Sequence, residues 1–109
     1  MRPKKCRFVN FEPNFTYFKP RGVPVSVLKI VELENDELEA LRLADFNGFS
    51  QEESAQKMGI SRQTFGRIIE KARYKITDAL LNGKAIKIIK NENYVIINKK
   101  EDKMKIAVS

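Results

Sequence analysis

The stretch SQEESAQKMGISRQTFGRIIEKARYKITDALLN, from Ser50 to Asn82, decides the fold of this chain, and its pattern predicts two helices joined by a tight turn. Ser50 and Glu53 have the spacing of a capping box, which satisfies free backbone N–H groups at a helix start. Gly59 marks the turn, because glycine adopts a positive φ with little strain. Ser61 then caps the second, longer helix.

The second helix is predicted to have an apolar side and a polar side. Apolar residues recur at helical spacing and predict the buried side: Phe65, Ile68, Ile69, Ala72, Ile76 and Ala79. The opposite side consists of Gln63, Gly66, Arg67, Glu70 and Tyr74, and Arg62 and Thr64 lie at the leading end. This side has side chains that can hydrogen-bond to base edges. This pattern favours a DNA-binding helix-turn-helix over the alternative, an ordinary helical hairpin with a solvated basic face.

Gly66 stands out within the predicted second helix. Glycine in a helix interior costs about 1 kcal/mol relative to alanine, so its presence requires a reason. Close approach of a DNA backbone and tight packing between helices explain it equally well.

The composition is that of a single soluble domain. The chain has 109 residues, 42% of them hydrophobic and 32% charged, which allows one modest core. Apolar runs fall short of the roughly 20 residues that span a bilayer, and the charges at the N-terminus are not followed by an apolar block. We therefore expect a cytoplasmic protein without membrane contact.

The residue counts exclude several kinds of active site. Cys6 is the single cysteine and histidine is absent, which excludes zinc fingers, Cys–His nucleophilic pairs and Ser–His triads. A glycine-rich phosphate loop is also missing. We therefore expect no enzyme activity, no metal and no cofactor, and a lone cysteine of this kind is more often inert than a sensor.

Positive charge is concentrated in one part of the chain. The net charge is +7 and the isoelectric point is near 9.6, which favours a polyanionic partner. From Ser61 to Lys75, five basic residues and one acidic residue give +4, whereas from Glu34 to Asp45 one basic and five acidic residues give −4. We expect the basic segment to face DNA and the acidic segment to face away from it.

The chain divides into four segments of one domain, of which residues 1–24 are a predicted extended N-terminal arm, since prolines exclude a long helix there. The basic residues near its start are Arg2, Lys4, Lys5 and Arg7. They are predicted to follow the DNA backbone or to enter the minor groove. A solvated terminus is an equal alternative.

Residues 25–83 are the predicted DNA-binding core. They begin with a strand from Leu28 to Leu33, followed by a helix that is capped by Asn35 or Asp36 and ends at Asn47-Gly48. The inward-facing residues of this helix are predicted to be Leu38, Leu41, Leu43 and Ala44.

Residues 84–100 are a predicted β-hairpin, and residues 101–109 a flexible tail. Two β-rich runs, Ile86 to Ile89 and Tyr94 to Ile97, flank a turn at residues 91–93. The hairpin is expected to pack on the first core strand or on its copy in a second subunit, with a DNA-touching wing or a simple edge as alternatives. The fold class is thus mainly α with small β additions: a tri- or tetrahelical helix-turn-helix core, a short strand and a C-terminal hairpin.

Three sequence blocks resemble a small, largely uncharacterised prokaryotic family of predicted DNA-binding proteins, whose helix-turn-helix is similar to region 4 of the bacterial sigma-70 factors. The blocks are RPKKCR with YFKP and GVP, then DELEALRLAD, then SQEESAQKMGISRQTFGRI followed by NGKA. They cover most of residues 2–86. The resemblance implies a DNA-binding core of three or four helices and a role in transcription. By position, it also implies DNA contacts from Ser61, Arg62, Gln63, Thr64 and Arg67.

Side-chain chemistry assigns roles to the predicted DNA contacts. Arg62 and Arg67 suit bidentate hydrogen bonds to guanine, Gln63 suits adenine, and Thr64 suits a thymine methyl. The residues predicted to hold phosphates are Gln51, Ser61, Lys71 and Arg73. Because one helix-turn-helix contacts few base pairs, we expect a homodimer on double-stranded DNA. The alternative is a sigma-like adaptor that binds RNA polymerase or another regulator.

Overall fold

The computed structural model describes residues 7–9, 16–90 and 94–96. Three α-helices carry most of the structure over these residues, with short strands before and after them. In chain order the elements are β1 (Arg7–Val9), β2 (Tyr17–Phe18), β3 (Ile30–Glu34), α1 (Asn35–Leu41), α2 (Gln51–Met58), α3 (Arg62–Asn82), β4 (Ala85–Ile89) and β5 (Tyr94–Ile96). A fold that is mainly α with small β additions is therefore confirmed.

α2 and α3 are the two helices predicted on either side of a tight turn. Ser50 caps α2: its hydroxyl accepts from the Glu53 N–H at 3.1 Å, and the Glu53 carboxylate accepts from the Ser50 N–H at 3.3 Å. Gly59 ends α2 with a φ of +69°. Ser61 caps α3, because its hydroxyl accepts from the Thr64 N–H at 3.1 Å. Both predicted caps and the predicted turn are confirmed.

α1 starts one residue earlier than predicted. Its N-cap is Glu34, not Asn35 or Asp36, because the Glu37 carboxylate accepts from the Glu34 N–H at 2.9 Å and completes a capping box. The helix then continues into a π-helical turn, Arg42–Phe46, which the sequence did not predict.

The three helices share one hydrophobic core. Its buried members are Ala40, Leu43, Ala55, Met58, Phe65, Ile68 and Ile69. Ile60, in the turn between α2 and α3, packs against this cluster and is partly buried. Of the residues after β3 that were predicted to face inward, Leu43 is buried. The other three are half-buried: Leu38, Leu41 and Ala44. Because α3 gives one side to the core, its opposite side stays exposed.

β4 is the central strand of a three-stranded sheet with the order β2-β4-β3. It runs parallel to β3 and antiparallel to β2. The prediction that residues 86–89 pack on the first core strand is confirmed. That strand starts at Ile30 rather than Leu28, because the preceding residues form a 3-10 turn, Val25–Val27, which the Leu28 N–H closes.

The predicted C-terminal hairpin is wrong in its strand pairing. β5 pairs in parallel with β1, with Arg7 opposite Tyr94, in a separate two-stranded sheet. Runs of isoleucine and valine predict strands but not their partners, and the segment between β4 and β5 has no glycine for a tight turn. The N-terminal segment therefore supplies two strands of the fold. Residues 91–93 and 97–109, with the predicted turn and tail, lie outside the described residues.

Candidate nucleic-acid interface

The turn between α2 and α3 fixes the direction in which α3 leaves the core. A Cβ on Gly59 would lie 3.1 Å from the nearest atom of the Phe8 ring, and the φ of +69° adds strain for any other residue. The Ile60 N–H donates to the Ala55 carbonyl at 3.0 Å. β1 thus packs directly on the turn that precedes α3.

The first half of α3 presents polar side chains on the side opposite the core. Arg62, Gln63 and Arg67 are exposed, whereas Thr64 is half-buried. The Ser61 hydroxyl donates to the Thr64 hydroxyl at 2.9 Å, so both hydroxyls already take part in the helix cap. The predicted base-contacting residues therefore lie together at one end of α3.

Three basic residues on this part of α3 have no internal partner. Within the part of the chain that the structure describes, Arg62, Arg67 and Lys71 make no hydrogen bond or ion pair. With Glu70 as the one acidic residue, three basic residues give the segment Arg62 to Lys71 a net charge of +2. These charges can meet a polyanion without breaking an existing contact.

The basic residues further along α3 are engaged internally. Arg73 donates to both carboxylate oxygens of Asp45, at 3.1 and 2.7 Å, and these hydrogen bonds lower the pKa of the Asp45 carboxyl. Lys75 Nζ donates to the Glu37 carboxylate and to the Glu32 carbonyl, both at 2.8 Å. A phosphate contact by Arg73, as predicted, would require its pair with Asp45 to open.

Most of the acidic side chains between Glu34 and Asp45 lie inside the fold. Asp36, Glu37 and Glu39 are buried, and Arg42 donates to Glu39 through two hydrogen bonds of 2.8 Å, which raise the pKa of the Arg42 guanidinium. Buried carboxylates need such partners because an uncompensated charge is costly to desolvate. Three of the five acidic side chains of this segment are thus buried, and the expectation that the segment faces away from DNA stays a prediction.

The remaining predicted contacts lie in α2 and near the N-terminus. Gln51, the first residue of α2, is half-buried, and its Oε1 would lie 3.6 Å from a Cβ on Gly66. Arg7 is the first residue of β1. The other basic residues of the arm lie outside the described residues: Arg2, Lys4 and Lys5.

Sequence reasoning missed an apolar groove beside α1. Its lining residues are Leu38, Leu41, Arg42, Asp45 and Phe46, and its volume is about 630 Å³. Phe46 is 85% exposed. Contiguous exposed apolar surface is a mark of binding sites. The sequence feature that could have indicated the groove is Phe46, directly before the predicted helix end at Asn47-Gly48. Its exposure could not be predicted, because it depends on the π-helical turn.

The described residues contain neither a candidate metal-binding cluster nor a candidate membrane-spanning helix. Residues 7–9, 16–90 and 94–96 contain no group of three or more His, Cys, Asp or Glu side chains that could hold a metal ion. Among the same residues, no helix is both long enough and apolar enough to cross a membrane.

Comparison with known proteins finds relatives over most of the chain. Residues 1–97 match the family model described as "Protein of unknown function DUF134". A UPF0251 protein of Thermoanaerobacter pseudethanolicus is 59% identical over 87 residues, which cover 80% of this chain and 74% of the relative. A UPF0251 protein of Desulfosudis oleivorans is 56% identical over 87 residues, which cover 80% of this chain and 63% of the relative. No solved structure matches the chain significantly.

These matches include the sequence blocks on which the family resemblance was based. The family model spans all three blocks, and the relatives carry the same general name in different bacteria. The prediction of an uncharacterised prokaryotic family is confirmed, and the DNA-binding role stays a prediction. The chain belongs to the DUF134 family.

Proposed function

We propose that this protein binds specific DNA sequences and regulates transcription, with α2, the Gly59 turn and α3 acting as a helix-turn-helix. The supporting observation is the exposed side of α3, where Arg62, Arg67 and Lys71 have no partner among the described residues. Basic residues that serve only the fold are expected to be paired, as the later ones of the same helix are. An unpaired basic cluster on a helix suits a phosphate-rich groove.

Base recognition comes from the leading end of α3 in the major groove. Arg62 and Arg67 each donate two hydrogen bonds to guanine O6 and N7, and Gln63 bonds to adenine N6 and N7. Each such pair discriminates between bases by about 1–3 kcal/mol. The Thr64 methyl contacts a thymine methyl while its hydroxyl stays with Ser61.

Phosphate contacts fix the register of α3 in the groove. Lys71 lies one helical turn beyond Arg67 and donates to a phosphate on one side. The Gln51 amide, at the start of α2, and the Ser61 backbone N–H, at the start of α3, donate on the other side. Arg73 is left out, because its guanidinium is already bound to Asp45.

Useful specificity requires two copies of the motif, because one contacts only a few base pairs. The expected assembly is a homodimer on a roughly palindromic site, with half-sites about 34–36 Å apart along the duplex.

The decisive experiment is selection of bound sequences from a random pool of duplex DNA by the full-length protein. We expect an enriched motif with two related half-sites, bound more tightly than a scrambled duplex and more weakly as salt rises. An unenriched pool, with affinity only in the nonspecific range of about 10⁻⁴ to 10⁻⁶ M, would show that the proposed function is wrong.

A second function is supported by the apolar groove at Phe46. An adaptor for RNA polymerase or another regulator would use an exposed aromatic residue and an apolar groove as its contact. Its binding would be insensitive to salt and would weaken on Phe46→Ala, whereas DNA binding would not. Pull-down of purified RNA polymerase by the wild-type protein and by this variant separates the two functions.

A further inference from the structure

Gly66 is a helix-interior glycine that the fold does not require. It does not have the positive φ that would exclude other residues. Apart from its own helix backbone, a Cβ there would meet one described atom within 4 Å, Gln51 Oε1 at 3.6 Å, which is an ordinary contact distance. Gly59 is different, since its Cβ would lie 3.1 Å from the Phe8 ring. Tight helix packing therefore does not explain Gly66.

The surroundings of Gly66 contain hydrogen-bond donors on several sides. Gln63 and Arg67 are exposed neighbours on α3, and Arg62 lies one helical turn earlier. Gln51 approaches from the start of α2. Gly66 thus lies where bare helix backbone is flanked by side chains that can bind phosphate or base edges.

Groove dimensions indicate which part of DNA would reach this point. A major groove about 12 Å wide admits one helix, whose diameter with side chains is about 10–12 Å. When α3 occupies the groove, α2 must stay outside it and cross the strand that borders it. Since Gly66 faces the first residue of α2, it lies at the border of the groove rather than at its floor.

From these observations, and resting on the proposed function, we infer that the sugar–phosphate backbone bordering the major groove crosses α3 at Gly66, in van der Waals contact with its Cα. The Gln51 amide then donates to a phosphate from one side, and Arg67 lies beside it on α3. Any side chain at position 66 would hold the strand away from the Gln51 amide. The glycine is retained for DNA contact at the expense of helix stability.

The test uses Gly66→Ala, with Thr77→Ala as a control on the exposed side of the same helix. Gly66→Ala should fold and melt a few degrees higher than the wild type, because alanine favours the helix. Its affinity should fall at least tenfold, equally for the selected duplex and for a scrambled one, because the lost contact is to the backbone. Thr77→Ala should bind both duplexes like the wild type.

The outcomes separate this inference from the function on which it rests. Unchanged affinity of Gly66→Ala on both duplexes, with wild-type specificity intact, would overturn the inference alone. A loss confined to the selected duplex would also overturn it, since it would mean a base contact. A wild-type protein that binds neither duplex beyond the nonspecific level would overturn the proposed function and the inference together.

Discussion

Arg73 donates two hydrogen bonds to Asp45, from Nε at 3.1 Å and from Nη2 at 2.7 Å. The pair joins α3 to the π-helical turn, and its side chains are 50% and 44% exposed. Lys71, two residues earlier in α3, has no such partner among the described residues. The charge of Arg73 is compensated by Asp45, whereas the charge of Lys71 is not compensated by any described residue.

Alanine substitutions of these two residues should therefore differ in their effect on DNA binding. Lys71→Ala should weaken binding to all sequences and reduce the slope of log K against log [salt] by about one unit, because one phosphate contact is lost. Arg73→Ala should leave the slope unchanged. Fluorescence anisotropy titrations at several salt concentrations measure both, and equal slopes for the two variants would contradict the assignment.

Arg67→Ala should relax sequence preference rather than weaken binding uniformly. Loss of one bidentate contact removes about 1–3 kcal/mol of discrimination at one base pair of each half-site. Repeating the pool selection with the variant should show the guanine preference gone at that position alone. Arg67→Lys is the control, since it keeps the charge but not the planar fork. Retention of the full motif by both variants would exclude Arg67 from base recognition.

Substitutions of the two helix caps should distinguish an effect on protein stability from an effect on DNA affinity. Ser50→Ala and Ser61→Ala each remove a cap and should each lower the free energy of unfolding by about 1 kcal/mol, measured by urea denaturation. Only Ser61→Ala should also lower DNA affinity, because the proposed function places Ser61, and not Ser50, at the leading end of the DNA-reading helix. A similar loss of affinity in Ser50→Ala would show that the effect comes from helix fraying.

Stability should decrease in acid through two paired carboxylates, Asp45 and Asp78. The pKa of Asp78 is lowered by hydrogen bonds from Lys84 Nζ at 2.9 Å and Asn82 Nδ2 at 2.8 Å, and the pKa of Asp45 is lowered by Arg73. Groups whose folded pKa is lowered stabilise the protein above the unfolded value, about 3.9, and lose that effect as the pH falls through the folded value. Melting temperatures from pH 7 to pH 3 should therefore decline below about pH 4. The decline should be smaller in a variant with both residues changed to Asn.

The basic arm should add to DNA affinity but not to stability. β1 starts at Arg7 and Phe8 contacts the Gly59 turn, so β1 lies beside the start of α3. Changing all three of Arg2, Lys4 and Lys5 to Ala should reduce the salt slope by roughly two to three units. The melting temperature should stay the same. An unchanged slope would favour the solvated-terminus alternative.

Features that depend on neighbouring residues could be predicted from the sequence. The Ser50 and Ser61 caps, the Gly59 turn and the end of α3 at Gly83 each depend on residues within one helical turn. The grouping of the predicted base contacts followed from helical periodicity for the same reason. These local patterns were enough to predict where α2 and α3 begin and which residues lie at the leading end of α3.

Features that depend on distant partners could not be predicted. Glu37 and Lys75 are 38 residues apart, and their ion pair compensates a buried carboxylate with a half-buried ammonium group. Tyr94 lies opposite Arg7, although the nearer β4 was the expected partner of β5. Charge runs and β-branched runs describe a segment, and they do not specify what it contacts.

The parallel pairing of β1 with β5 has a consequence for synthesis on the ribosome. Arg7 is made 87 residues before its partner Tyr94, which at about 5–20 residues per second is a delay of roughly 4–17 s. The α-helices, with shorter sequence separations, can pack during that interval. Val9, which is 1% exposed in the finished fold, cannot complete its strand pairing until then. β1 is therefore synthesised early but is among the last described strands to form its pairing. A chain released before Tyr94 lacks β5, the strand that pairs with β1.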